Sequence, residues 1–85
     1  MLGKLTQLPN IGPVLEGNLE KIGVTSAEEL AAIGAEQAFL RIRSEVAPTA
    51  CLHQLEALAG AVAGVRKSRL SQERKEELKR WYRSL

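Results

Sequence analysis

The side chains with reactive potential are few. Cys51 and His53 stand two apart, and a cysteine beside a histidine is the pairing that generates a thiolate nucleophile. On a helix, however, a two-residue step turns side chains to nearly opposite faces, so these two cannot meet within one helix. His53 is the only histidine, and the 10 acidic residues are all glutamates scattered over surface-type positions, which gives a metal ion no convergent set of ligands. Cys51, the 1 cysteine, rules out an internal disulfide and a multi-cysteine zinc site, and core packing is its expected role. No glycine-rich loop ends in Lys followed by Ser or Thr, so nucleotide hydrolysis has no phosphate cradle. The expectation is a non-enzymatic chain with no cofactor and no metal.

What remains is binding. Arg66, Lys67 and Arg69 crowd one short loop, and Arg74, Lys75, Lys79, Arg80 and Arg83 follow it. The total is only weakly basic, 12 Lys+Arg against 10 Asp+Glu for a net charge of +2, so distribution matters more than sum. Gathered on one surface, these cations would attract a phosphate backbone. Interleaved with Glu73, Glu76 and Glu77, with Glu76 and Arg80 at pairing distance on a helix, they equally describe a solvated face. Trp81 and Tyr82 could stack unpaired bases. With Leu78 and Leu85 they could instead anchor the last helix, or form an exposed face that joins a second copy or another protein.

The elements that must position these residues are helices. Aromatics are 4% of the chain and no stretch alternates apolar and polar residues as a strand would. Leu2, Leu5 and Leu8 suggest a short opening turn stopped by Pro9. Pro13 suits a first helical position with Gly12 as its cap; Leu15, Leu19 and Ile22 make that helix's apolar face, and Gly23 ends it. Ser26 with Glu29 forms a capping box ahead of Leu30 and Ile33, closed by Gly34. A helix over 35–45 carries Phe39, Ile42 and Val46 on one side and stops before Pro48. The next starts near Thr49 with a stripe of Leu52, Leu55, Leu58 and Val62. Its alanines leave room for close neighbours, which marks it as the central helix. Gly64 ends it, and Ser71 caps a last helix with Glu73 in its first turn.

A length of 85 residues fits one domain over 1–85, an all-α compact array of about five to six short helices. With 45% apolar and 26% charged residues the chain should fold, and no apolar run is long enough to span a bilayer. No membrane association is expected, no secretory signal segment is visible, and a cytoplasmic location is the default expectation.

The string Leu8-Pro9-Asn10-Ile11-Gly12-Pro13, followed by a helix and Ile22-Gly23-Val24, resembles the helix-hairpin-helix motif of many DNA-binding proteins. By that resemblance Ile11 plugs the hairpin between its flanking helices. Continuing through Thr25-Ser26-Ala27-Glu28-Glu29-Leu30, Ile33-Gly34-Ala35 and the alanine-rich helix, the chain is similar to the C-terminal domain of the TfoX/Sxy family of competence regulators. That likeness runs from about Leu5 to the segment 73–78. Full-length members carry a further N-terminal domain that these residues do not include, so a regulator's whole function is not implied. Two departures bear on DNA binding: Asn10 stands where duplex-binding hairpins have their first glycine, and Val14, Leu15 and Glu16 follow Pro13 where a basic residue is usual.

Two binding readings follow. In the first, backbone amides at the hairpin hold a phosphate of DNA, with Asn10, Gly12 and Val14 at the contact and Arg66, Lys67 and Arg69 supplying charge; without that charge the cradle would bind weakly. In the second, the hairpin is architectural and the face of Leu78, Trp81, Tyr82 and Leu85 binds a protein partner or a second copy.

Overall fold

A computed structural model describes residues 4–85. The first described element is a 3-10 turn, Leu5–Gln7, whose Leu5 is buried. Leu2, the other end of the expected opening turn, lies outside the described residues. Five α-helices follow: α1 (Pro13–Lys21), α2 (Ala27–Ile33), α3 (Ala35–Glu45), α4 (Leu52–Ala63) and, after a second 3-10 turn at Lys67–Arg69, α5 (Gln72–Arg83). Among the described residues there is no strand, and no helix is long and apolar enough to cross a membrane.

Local chemistry accounts for these boundaries. Pro13 opens α1, where its missing N–H would have no helical partner in any case. Ser26 Oγ accepts the Glu29 N–H at 3.1 Å, while the Glu29 carboxylate accepts from Thr25 Oγ1 at 2.7 Å, the Thr25 N–H at 3.2 Å and Ser26 Oγ at 3.2 Å. Those bonds, the Thr25 hydroxyl foremost, hold the Glu29 carboxyl below its ordinary pKa. Ser71 Oγ caps α5 by accepting the Arg74 N–H at 3.1 Å.

The interior is built around α4, which packs against α2, α3, α5 and the second 3-10 turn. Leu55 and Leu58 are fully buried on it, and the small residues Ala57, Ala59, Gly60 and Ala61, buried as well, allow neighbours to approach closely. Leu19, Leu30, Phe39, Ile42 and Leu78 complete the centre from the other helices. Phe39 takes the rings of Trp81 and Tyr82 edge-on, with centroids 6.1 and 5.9 Å away. The Arg43 guanidinium lies 5.6 Å from the Tyr82 ring centre. At the start of both helices Arg74 grips Glu36 through two parallel bonds of 2.9 and 3.0 Å and also contacts Glu77.

Three expectations change. Helix α4 begins at Leu52, not near Thr49, because the chain after Pro48 first makes a turn closed by the Ala50 N–H on the Ala47 carbonyl at 2.9 Å. Cys51 consequently sits at the helix cap with extended backbone and is exposed, not packed in the core. Val62 belongs by spacing to the α4 stripe but is 40% exposed. It lies in the helix's last turn, at the rim of a shallow apolar groove shared with Leu8, Ala27 and Ala31.

Candidate nucleic-acid interface

The hairpin depends on one residue in an unusual conformation. Asn10 has φ +70°, the left-handed region that β-carbon sterics deny most residues and that asparagine tolerates better than others. From there its side chain turns inward. Nδ2 donates to the carbonyls of Val65 at 3.0 Å and Ala57 at 3.3 Å, while Oδ1 accepts the Lys67 N–H at 3.0 Å. Every polar group of the amide therefore has a partner within the chain, and the Asn10 side chain acts as a latch turned inward from the hairpin. Ile11, next to it, is buried as the hairpin's plug.

The receiving end of the latch is as specific as Asn10. Gly64, at φ +75°, ends α4 in a left-handed cap, with its N–H on the Ala61 carbonyl and the Val65 N–H on the Gly60 carbonyl at 2.9 Å. This geometry aims the Val65 carbonyl at Asn10. Gly60 provides the space: a β-carbon there would lie 2.5 Å from Asn10 Nδ2, 2.7 Å from the Val65 oxygen and 3.2 Å from the Lys67 nitrogen. Nothing in the sequence pattern of α4 separates Gly60 from its alanine neighbours; only the close approach explains it.

Because the latch holds Lys67 by its backbone, the basic loop is fixed beside the start of α1. An open groove of about 440 Å³ results, bounded by the first turn of α1, the first turns of α4 and Lys67. Gly12 is exposed and extended, no side chain caps α1, and Val14 is 79% exposed. The amides of Val14 and Leu15 precede the first helical bond, Glu16 N–H to Gly12 carbonyl at 2.9 Å. Helix α4 contributes a second uncapped N-terminus, without an acidic residue in its first turn. Positive helix-end potential and a lysine thus border one groove, opposed by Glu16 in α1. Arg66 and Arg69 flank Lys67 in the loop, and both are exposed.

Cys51 and His53 both line this groove, since Cys51 precedes the helix and escapes the opposite-face geometry. No hydrogen bond joins them among the described residues; His53 instead faces Glu56 at 3.8 Å. Gln54, not singled out from sequence, also lines the groove and keeps a buried Oε1 without a partner. Among the described residues no three Cys, His or Glu side chains gather as metal ligands. On α5, Glu76 accepts from Gln72 at 3.4 Å instead of pairing with Arg80, and Arg74 is the residue that forms ion pairs.

The second candidate face is divided between interior and surface. Leu78 is fully buried, Trp81 and Tyr82 are half-buried against Phe39, and Leu85 is 50% exposed.

The sequence profile of the TfoX C-terminal domain matches residues 1–82. The chain belongs to that family. It is also similar to two crystal structures from Listeria monocytogenes, one of an uncharacterized protein in a triclinic form and one of a protein of unknown function in a tetragonal form. The triclinic form shares 43% identity over 96% of this chain and 92% of that one, with a TM-score of 0.93. The tetragonal form shares 43% identity over 95% and 98%, with a TM-score of 0.91. No curated protein matches the chain. The TfoX C-terminal domain family is not a known enzyme family, and these structural relatives have no assigned activity.

Proposed function

We propose that this chain is a non-enzymatic cytoplasmic domain that binds the phosphate backbone of nucleic acid through its hairpin and the loop over 66–69. The observation that supports the reading is the 3.0 Å bond from the Lys67 N–H to Asn10 Oδ1, which holds a cationic loop against an uncapped helix start. A hairpin cradle without adjacent charge would bind weakly, and the latch supplies what the residues after Pro13 lack. Arg66, Lys67 and Arg69 make no ion pair among the described residues, so their charge is available to an anion.

Fluorescence anisotropy of a labelled duplex, titrated across a salt series, tests this. Binding should weaken steeply with salt, and Arg66→Ala/Lys67→Ala/Arg69→Ala should lower the slope of log K against log salt by about 0.9 for each phosphate that is no longer neutralised. Absence of binding by the unaltered chain even at low salt would refute the proposal and turn attention to self-association.

A further inference from the structure

Helix α5 sorts its charges. Arg74 is neutralised by Glu36 and Glu77 on the side that faces α3. On the opposite flank Lys75, Lys79 and Arg83 recur at four-residue spacing, which places them in one row. Lys75 Nζ donates to the Ser68 carbonyl at 3.4 Å, so this row starts against the basic loop and continues it. Neither these three cations nor Arg80 forms an ion pair among the described residues, but Arg80 stands apart from the row, among Glu73, Glu76 and Glu77 on the outer face.

We infer that Lys75, Lys79 and Arg83 extend the hairpin and loop into a single ridge that follows one strand of a nucleic-acid duplex. This rests on the backbone-binding reading and adds its extent and the form of the ligand. At 1.5 Å per residue the row is about 12 Å long. A duplex strand presents a phosphate every 3.4 Å or so of axis, hence about three to four along that length. The aromatic rings argue for a duplex over a single strand. Trp81 and Tyr82, the chain's candidate stacking platforms, are half-buried against Phe39, and the Arg43 guanidinium already lies over the Tyr82 ring, which leaves charge as the main means of recognition.

The test uses the full chain and a duplex about two helical turns long, with a single strand of equal length alongside. Lys75→Gln/Lys79→Gln/Arg83→Gln should reduce the salt slope by about 2 to 3, so that between about 50 and 200 mM salt its affinity falls roughly 40-fold less than that of the unaltered chain. Lys79→Gln/Arg83→Gln, at two exposed positions, guards against misfolding and should remove about two-thirds of the effect; thermal melts check that both variants are folded. Arg80→Gln should leave the slope unchanged. Duplex binding by the unaltered chain and by the α5 variants with equal affinity and slope would overturn the ridge while leaving the hairpin site intact. Equal or tighter binding of the single strand would overturn the duplex assignment. Failure of the unaltered chain to bind either probe would remove the hairpin reading and the ridge together.

Discussion

Replacing Asn10 separates the two components of the latch. Asn10→Ala removes three hydrogen bonds, each worth about 0.5 to 1.5 kcal/mol net, and the lower part of that range applies because the site is half-exposed. It also forces a β-carbon residue without local hydrogen bonding to hold φ +70°, at about 1 to 2 kcal/mol. The expected loss is about 3 to 5 kcal/mol. For a chain of this size each kcal/mol lowers Tm by about 4 to 8 °C, so the midpoint should fall by at least about 12 °C. Asn10→Gly loses the same bonds but not the backbone compatibility, and should retain about 1 to 2 kcal/mol relative to the alanine variant. Gly60→Ala should cost about 1 to 3 kcal/mol by overpacking, and less in the Asn10→Ala background because one of its clashes is with the amide itself. Urea denaturation followed by far-UV circular dichroism gives all four stabilities. An alanine variant within about 0.5 kcal/mol of the unaltered chain, a size typical of surface substitutions, would refute the latch. A glycine variant less stable than the alanine one would refute the conformational part.

Two further expectations concern ionisation and exposure. The Arg74 hydrogen bonds hold the Glu36 carboxyl below its ordinary pKa, so the unfolded chain binds more protons there; the pair's contribution is complete above the usual glutamate range near pH 4.3 and is lost as pH falls through the lowered folded value. Urea midpoints measured from neutral to acidic pH should therefore decline less steeply for Glu36→Gln, the pair itself being worth about 1 kcal/mol or less; parallel curves would contradict this. Cys51→Ser should change stability by no more than about 0.5 kcal/mol, and a thiol reagent should label Cys51 in the native protein without prior unfolding; a protected thiol would return Cys51 to the core.

Wherever local chemistry decides, the fold is legible in the sequence. Ser26 and Glu29, Gly12 and Pro13, Gly64 and Ser71 each mark a helix end, and α3 occupies Ala35–Glu45 as its apolar spacing predicts. The features that differ depend on tertiary context. The turn after Pro48 takes up residues that helical spacing assigns to α4, and Val62 lies beyond the reach of the neighbours that cover Leu55 and Leu58. The site is half legible. Asn10 is visible as a departure from the expected glycine, and the loop cations as a cluster. That the amide of Asn10 points toward α4, and that Gly60 exists to admit it, follows from pairings 47 to 57 positions apart in sequence, which no local pattern encodes.

The latch also has a consequence in time. Closing a loop costs entropy that grows with the logarithm of its length, and pairings of long separation form after local ones. Helix α3 touches both α1 and α2, and these three helices, joined by short connections, can assemble as the chain emerges during synthesis. The hairpin cannot share that schedule, because the partners of Asn10 include Val65 and Lys67, separated from it by 55 and 57 positions. A nascent chain ending before α4 would carry the hairpin's residues without the bonds that set its geometry. The groove and its basic loop therefore come into being in one late step, and a partner that needs both is met only by a chain whose last third has been made.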